Sequence, residues 1–200
     1  MSEAPRLETP LHYLRGLQRG SGAGGVGLTV AEAAFCQHLS IRGDAESPGF
    51  VEAIRSVTGL ILPTRPLSFE SHANARIFWQ GPSEWMLVVD QQASDPIESD
   101  LRQALSGEHA AVVDVSGGQT LLTLSGPALA EVLQKSSSYD FHARNFPTGK
   151  CVQTTFGKAG ALVARLGEDS VTLLVRRSFS DYIGKWLLDA AAEYGIQISG

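Results

Sequence analysis

Asp114 and Ser116 stand two apart in the run Asp114-Val115-Ser116-Gly117-Gly118, so an extended backbone points both side chains to one face. A carboxylate and a hydroxyl so placed need only a histidine from elsewhere to compose a nucleophilic triad. A hydrolase serine, however, sits on a strained elbow between strand and helix. The Gly117-Gly118 pair instead suits a tight hairpin in which Asp114 or Ser116 bonds turn backbone, and that is the role expected here. Cys36 and His38 form a second pair. A structural zinc site takes four ligands, and nothing else stands at ligand spacing. The pair therefore reads as a core cysteine beside a strand or surface histidine. Cys151 is the other cysteine. Apolar neighbours at both positions suit reduced thiols in a cytosolic core.

From Phe141 to Gly167 the chain carries His142, Arg144, Lys150, Lys158 and Arg165 and no carboxylate. This basic belt could receive an anionic cofactor such as a folate polyglutamate tail, or an acidic partner surface. Equally, it could be a set of solvated strand faces. It contains no paired carboxylates for general acid–base work. Gly22-Ala23-Gly24 lacks the buried strand upstream and the helix downstream that give a dinucleotide loop its meaning. Trp79, Trp85 and Trp186 read as core and interface anchors.

The elements that position these groups follow from patterning. Leu39-Ser40-Ile41-Arg42-Gly43 and Leu122-Thr123-Leu124-Ser125-Gly126 share one alternation and read as strands ending at glycine. Each is preceded by another alternation, Leu28-Thr29-Val30 or Val113-Asp114-Val115, and followed by a helix. Ser47-Pro48 caps the first helix, Phe50, Ile54 and Val57 share its face, and Gly59 stops it. Gly126-Pro127 opens the second, with Leu129, Val132 and Leu133 facing inward. Hairpins turn at Gly81-Pro82-Ser83 and Gly167-Glu168-Asp169. Closing helices span Pro96 to Leu105 and Phe179 to Tyr194, the latter with a capping box at Ser178 and Asp181.

The expected fold is therefore α+β, made of two pseudo-symmetric halves that each run strand, strand, helix, strand, strand, helix. The halves, 28–107 and 108–200, are too small to bury much surface separately and should form one domain over 28–200. Residues 1–27 form an N-terminal arm on a glycine-rich, flexible linker. Leu11, Leu14 and Leu17 of that arm recur at helical spacing. Such an arm either docks on a partner or folds back on its own domain.

The chain has 200 residues, 16 Lys+Arg against 21 Asp+Glu, and a net charge of −5. That excludes a basic footprint for nucleic acid and a polybasic membrane patch. No apolar run nears the roughly 20 residues that span a bilayer, and the start carries no secretory signal, so a cytoplasmic location is expected. Charged residues are 18% of the chain, below the roughly 25% of ordinary soluble domains. The deficit implies uncharged patches meant for partners, around the arm and one face.

Several motifs occur in order: Gly81-Pro82-Ser83-Glu84-Trp85-Met86-Leu87-Val88, Val113-Asp114-Val115-Ser116, Leu124-Ser125-Gly126-Pro127-Ala128, Phe146-Pro147-Thr148-Gly149, and Arg177-Ser178-Phe179-Ser180-Asp181-Tyr182 with Trp186-Leu187-Leu188-Asp189-Ala190. As an ordered set they resemble the gamma subunits of heterotetrameric sarcosine oxidases, over nearly the whole chain. The resemblance implies an accessory subunit of a bacterial complex that oxidatively demethylates sarcosine to glycine. It implies alpha, beta and delta subunits as partners. FAD, FMN, NAD and tetrahydrofolate would sit in those partners, zinc in delta, and no cofactor on this chain. It also implies a fold similar to the folate-binding aminomethyltransferase domain. Aminomethyltransferases carry an acidic pair on a strand after a glycine turn, whereas Gly160-Ala161-Leu162-Val163-Ala164 has no acid. No catalytic, cofactor-binding or metal residue is therefore transferred. The alternative is a folate-binding or aminomethyltransferase-like protein acting on one-carbon units, with the basic belt as its support.

Overall fold

Alternating apolar residues become strands and three-to-four spaced ones become helices throughout the computed structural model, which describes residues 8–20, 25–90 and 97–199. The start of the arm at 1–7, the centre of the glycine-rich linker at 21–24 and the expected helix start at Pro96 lie outside the described residues. In chain order the first elements are β1 (Gln18–Arg19), β2 (Leu28–Ala33), β3 (Gln37–Arg42), α1 (Pro48–Thr58), β4 (Phe69–His72), β5 (Ala75–Gly81), β6 (Glu84–Val89) and α2 (Ile97–Ala104). The rest are β7 (Ala111–Asp114), β8 (Gln119–Ser125), α3 (Leu129–Ser136), β9 (Cys151–Phe156), β10 (Ala159–Gly167), β11 (Ser170–Arg176), α4 (Ser180–Ala190) and β12 (Ile196–Ser199). Among the described residues no helix is long and apolar enough to cross a membrane.

The strands form two sheets, ordered β1-β12-β2-β8-β11-β10-β9 and β4-β5-β6-β3-β7. The run β2-β8-β11-β10-β9 in one sheet matches β7-β3-β6-β5-β4 in the other. Each half of the sequence thus gives its first strand to the opposite sheet. Thr29 to Ala33 of β2 pair antiparallel with Ser125 to Leu121 of β8. Leu39 to Arg42 of β3 pair with Asp114 to Ala111 of β7. Residues 28–107 and 108–200 are consequently interleaved, not two self-contained packing units. Each half also holds an edge strand beyond the expected pattern, β4 or β9, and the second half adds β12 after its last helix. Strands β4 and β9 lie at sheet edges, where one neighbour and partial exposure leave little alternation to read. Strand β12 pairs parallel with β2.

Alternation then sorts side chains into layers. Leu39 and Ile41 point to α1 and α2, packing with Phe50, Ile54, Trp85 and Leu101. Leu122 and Leu124 point to α3 and α4, packing with Val163, Leu173, Ile183 and Leu187. Phe78, Met86 and Val88 of one sheet meet Leu121, Leu162 and Leu174 of the other. The α+β fold is a helix, sheet, sheet, helix stack.

Helix α1 starts and stops as its residues dictate. The Phe50 N–H donates to Ser47 Oγ, Pro48 opens the first turn, and Gly59 closes it in the left-handed region at φ 70. Helix α4 departs from expectation. Arg177–Phe179 form a separate 3-10 turn, α4 starts at Ser180, and no side chain caps it. Asp181, the expected cap partner, instead takes the Tyr13 hydroxyl and the Lys185 ammonium. Ser180 is buried and donates to Thr120 Oγ1 at 2.7 Å.

The described part of the arm folds back on its own domain. Leu11 and Leu14 are buried in the α4-side core, against Gly184, where a Cβ would stand 2.9 and 3.0 Å from their methyls. The Leu11 N–H donates to Glu32 Oε1 at 3.1 Å, and Gly16 and Leu17 exchange backbone hydrogen bonds with Ile198. Burying two leucines contributes about 1.5–3 kcal/mol each. Leu11→Ala should therefore lower unfolding free energy by about 2–4 kcal/mol, measured by urea denaturation of the full chain; a cost below about 0.5 kcal/mol would mean that the arm is not part of the core.

Candidate functional site

The Asp114 to Gly118 turn joins β7 to β8, with Gly117 at φ 77. The Ser116 N–H donates to Asp114 Oδ1 at 2.8 Å, and the Gly118 N–H to Val115 O at 3.0 Å. Ser116 Oγ accepts the backbone N–H of His38 at 2.9 Å. A histidine does come beside the serine, but it meets Oγ through its main chain. The His38 ring is buried, and neither nitrogen has a hydrogen-bond partner among the described residues. Burial pushes its pKa down, against the opposing pull of the Cys36 backbone and, more weakly, of the Asp114 carboxylate. Asp114 and Ser116 shape a turn, and no relay from imidazole to hydroxyl is assembled.

The basic belt is broken up by the fold. Arg144 and Lys150 line an open cleft of about 810 Å³ together with Arg65, Leu67 and Glu70. Lys150 Nζ is already bound to Asn145 O at 2.6 Å. Arg165 is instead an internal strut: its guanidinium donates to Glu168 O at 2.7 Å and Phe141 O at 3.0 Å and lies over the Phe146 ring. Burial lowers its pKa. Lys158 sits at the β9–β10 turn, its N–H donating to Tyr182 Oη. His142 Nδ1 accepts the Arg144 N–H at 3.3 Å. Sequence reasoning missed Arg65, because its place opposite Arg144 exists only once β4 and β9 are edge strands; Leu67, held at φ 62 beside it, is the local signal of a special loop.

Gly160, Ala161 and Leu162 line a second open cleft of about 720 Å³ at the junction of the sheets. The carboxylate at its edge, Glu84, is 3.1 Å from Arg42 Nη2. Exposed ion pairs of this kind contribute little to stability, yet this one gives Glu84 a partner.

Both cysteines are buried free thiols. Cys36 donates to Asp90 Oδ1 at 3.4 Å and Cys151 to Ser68 O at 3.2 Å. Burial pushes each thiol up to about 12, with the Asp90 charge adding to the effect at Cys36. Among the described residues no three His, Cys, Asp or Glu side chains converge as metal ligands. Trp85 is fully buried, its indole N–H on Pro63 O at 2.8 Å, and Trp186 donates to Ser136 Oγ at 3.0 Å. Trp79 is half-buried against the α1-side core.

The sarcosine oxidase, gamma subunit family matches residues 42–193. Sarcosine oxidase subunit gamma of Corynebacterium sp. (strain U-96) is 31% identical over 94% of this chain and 91% of its own. That of Corynebacterium sp. (strain P-1) is 33% identical over 96% and 93%. Among solved structures, a chain of the heterotetrameric sarcosine oxidase from Corynebacterium sp. U-96, in complex with pyrrole 2-carboxylate, superposes with TM-score 0.81 at 30% identity, covering 94% of this chain and 96% of that one. The glycine cleavage system aminomethyltransferase T from Bartonella henselae superposes with TM-score 0.68 at 14% identity, over 98% of this chain and 60% of that one. That second likeness is one of fold.

Two outcomes follow from these surroundings. Arg165→Ala should cost about 2–3 kcal/mol, because the buried Phe141 carbonyl loses its donor and the part-buried Glu168 carbonyl loses another, whereas Arg144→Ala on the exposed rim should stay within about 0.5 kcal/mol. Thermal or urea unfolding compares them; equal costs would refute the division of the belt. A thiol raised to about 12 is almost wholly protonated at pH 8 and so nearly unreactive. Iodoacetamide at pH 8 should label neither cysteine in the native chain and both in urea, as mass spectrometry would count.

Proposed function

The chain belongs to the sarcosine oxidase, gamma subunit family, and we propose that it serves as an accessory assembly subunit of a heterotetrameric sarcosine oxidase, without an active site of its own. The complex would oxidatively demethylate sarcosine to glycine in the cytoplasm. Its partners would be the alpha, beta and delta subunits. FAD, FMN, NAD and tetrahydrofolate would be held by those partners and not by this chain.

The observation that carries the reading is the backbone match, over 94% of this chain and 96% of the other, to a chain taken from such an assembly. Side-chain chemistry supports it. Asp114 and Ser116 are engaged in a turn, Arg165 is an internal strut and both thiols are buried, and the strand β10 presents Gly160 and Ala161 to the inter-sheet cleft in place of a carboxylate. The identical strand order of the two five-stranded runs supports a repeated half, and the interleaving of β2 and β7 supports one domain over 28–200 carrying the arm. Exposed apolar side chains fit partner contact: Val113 on edge strand β7 is 51% exposed and Ile61, past α1, is 68% exposed. A low charged fraction with apolar residues at the surface is the composition of an interface core.

Co-expression with the alpha, beta and delta subunits of its own complex should bring this chain into one stoichiometric species on size-exclusion chromatography. A stable, soluble monomer that ignores those subunits would overturn the proposal. Val113→Glu, which places a charge on the open edge of β7 and leaves the core alone, should weaken that co-elution at least tenfold if the β7 edge is part of the contact.

A further inference from the structure

The chain crosses between the sheets twice, from β2 to β3 and from β7 to β8, and both crossings line one small cavity of about 210 Å³. Phe35 and Cys36 come from the first crossing, Ser116 and Gly117 from the second, and Thr9 and Pro10 of the arm from a third side. Phe35 is held at φ 54, a left-handed conformation that a bulky residue rarely adopts. The cavity adjoins the inter-sheet cleft, with which it shares Gln119, and lies apart from the cleft lined by Arg65 and Arg144.

Two ionisable side chains that line it are more than nine-tenths buried and have bonding capacity to spare. Glu32 is 6% exposed; its Oε1 takes the Leu11 N–H, and its Oε2 has no hydrogen-bond partner among the described residues. His38 is 3% exposed; neither ring nitrogen completes a hydrogen bond among the described residues, although the Cys36 backbone lies near the ring. Buried polar atoms of native proteins are nearly always bonded, so such a pair in one cavity calls for an occupant. Glu32 offers an acceptor and a negative charge. A neutral His38, favoured by its burial, offers one acceptor and one donor. Arg177 also lines the cavity, and among the described residues its guanidinium makes one long hydrogen bond, 3.4 Å, to Glu8 O. Arg177 therefore keeps donors for an anion.

We propose that this cavity is a binding site for a small zwitterion, its amine donating to Glu32 and the His38 imidazole and its anionic end facing Arg177. At about 30 Å³ per water-sized group, the volume of about 210 Å³ holds about seven heavy atoms, room for the smallest amino acids. A bare anion would meet the Glu32 charge, and a bare cation would leave Arg177 unmatched.

The test is titration of the full chain with glycine and N-methylglycine, and separately with methylammonium and with acetate, followed by thermal unfolding and by amide NMR shifts of Leu11 and His38. At least one of the two zwitterions should raise the melting temperature saturably, move both amides, and bind at least tenfold more tightly than either single-charge probe. Glu32→Gln, nearly isosteric, and Arg177→Ala, on an exposed residue, should each weaken that binding at least tenfold while circular dichroism stays native. If Glu32→Gln does not fold, Arg177→Ala decides. No saturable response to either zwitterion, equal binding of methylammonium, or unchanged affinity in the folded variants would overturn the proposal.

Discussion

The ladder between β2 and β8, with its counterpart between β3 and β7, is the constraint on which the remainder of the molecule rests. These two pairings join strands from opposite halves of the sequence, so neither sheet is complete until both halves are present. Register is set by burial. Val30 faces the α4-side core together with Leu122 and Leu124, and a slip by one residue would turn Thr29 and Ala31 inward in its place. The third core, between the sheets, exists only because both ladders hold the two sheets face to face.

The exchange also decides where polar groups go. Each crossing brings a short turn over the edge of the sandwich, and those turns consume backbone donors and side-chain oxygens that look free in sequence. Ser116 accepts from His38, Asp114 accepts from Ser116, and Gly118 donates to Val115. The arm is drawn into the same arrangement, because Glu32 at the end of β2 accepts the Leu11 N–H while Leu11 and Leu14 fill the space that Gly184 leaves beside α4. Arg165 likewise spends its guanidinium on two carbonyls. A chain whose reactive side chains are used this way is suited to holding shape and presenting surface.

Much of the local structure was legible. Ser47, Pro48 and Gly59 delimit α1 because a cap, a donor-free first position and a left-handed stop act within a few residues of chain. The two hairpins were equally legible from their glycine turns. The ordered motifs identified the family. Legibility failed where an element owes its existence to a distant neighbour. Strands β4 and β9 are edge strands with weak alternation. Asp181 was drawn from its expected capping role by Tyr13, a residue from the far end of the chain. The basic belt dissolved because Arg165 stands on β10 and faces inward, whereas Arg144 and Lys150 lie in the loop before β9 and reach the cleft shared with Arg65.

The amino-acid order by itself thus determined the limits of α1, the hairpins, the repetition of one pattern in two halves and the family, since each depends on short-range stereochemistry or on residue identity read in sequence. Which sheet each first strand joins, the return of the arm to its own core, and the meeting of Glu32, His38 and Arg177 around one cavity were decided by tertiary structure alone. Those outcomes turn on pairings between residues far apart in the chain, where hydrophobic burial is non-directional and only the complete set of ladders and cores selects one arrangement.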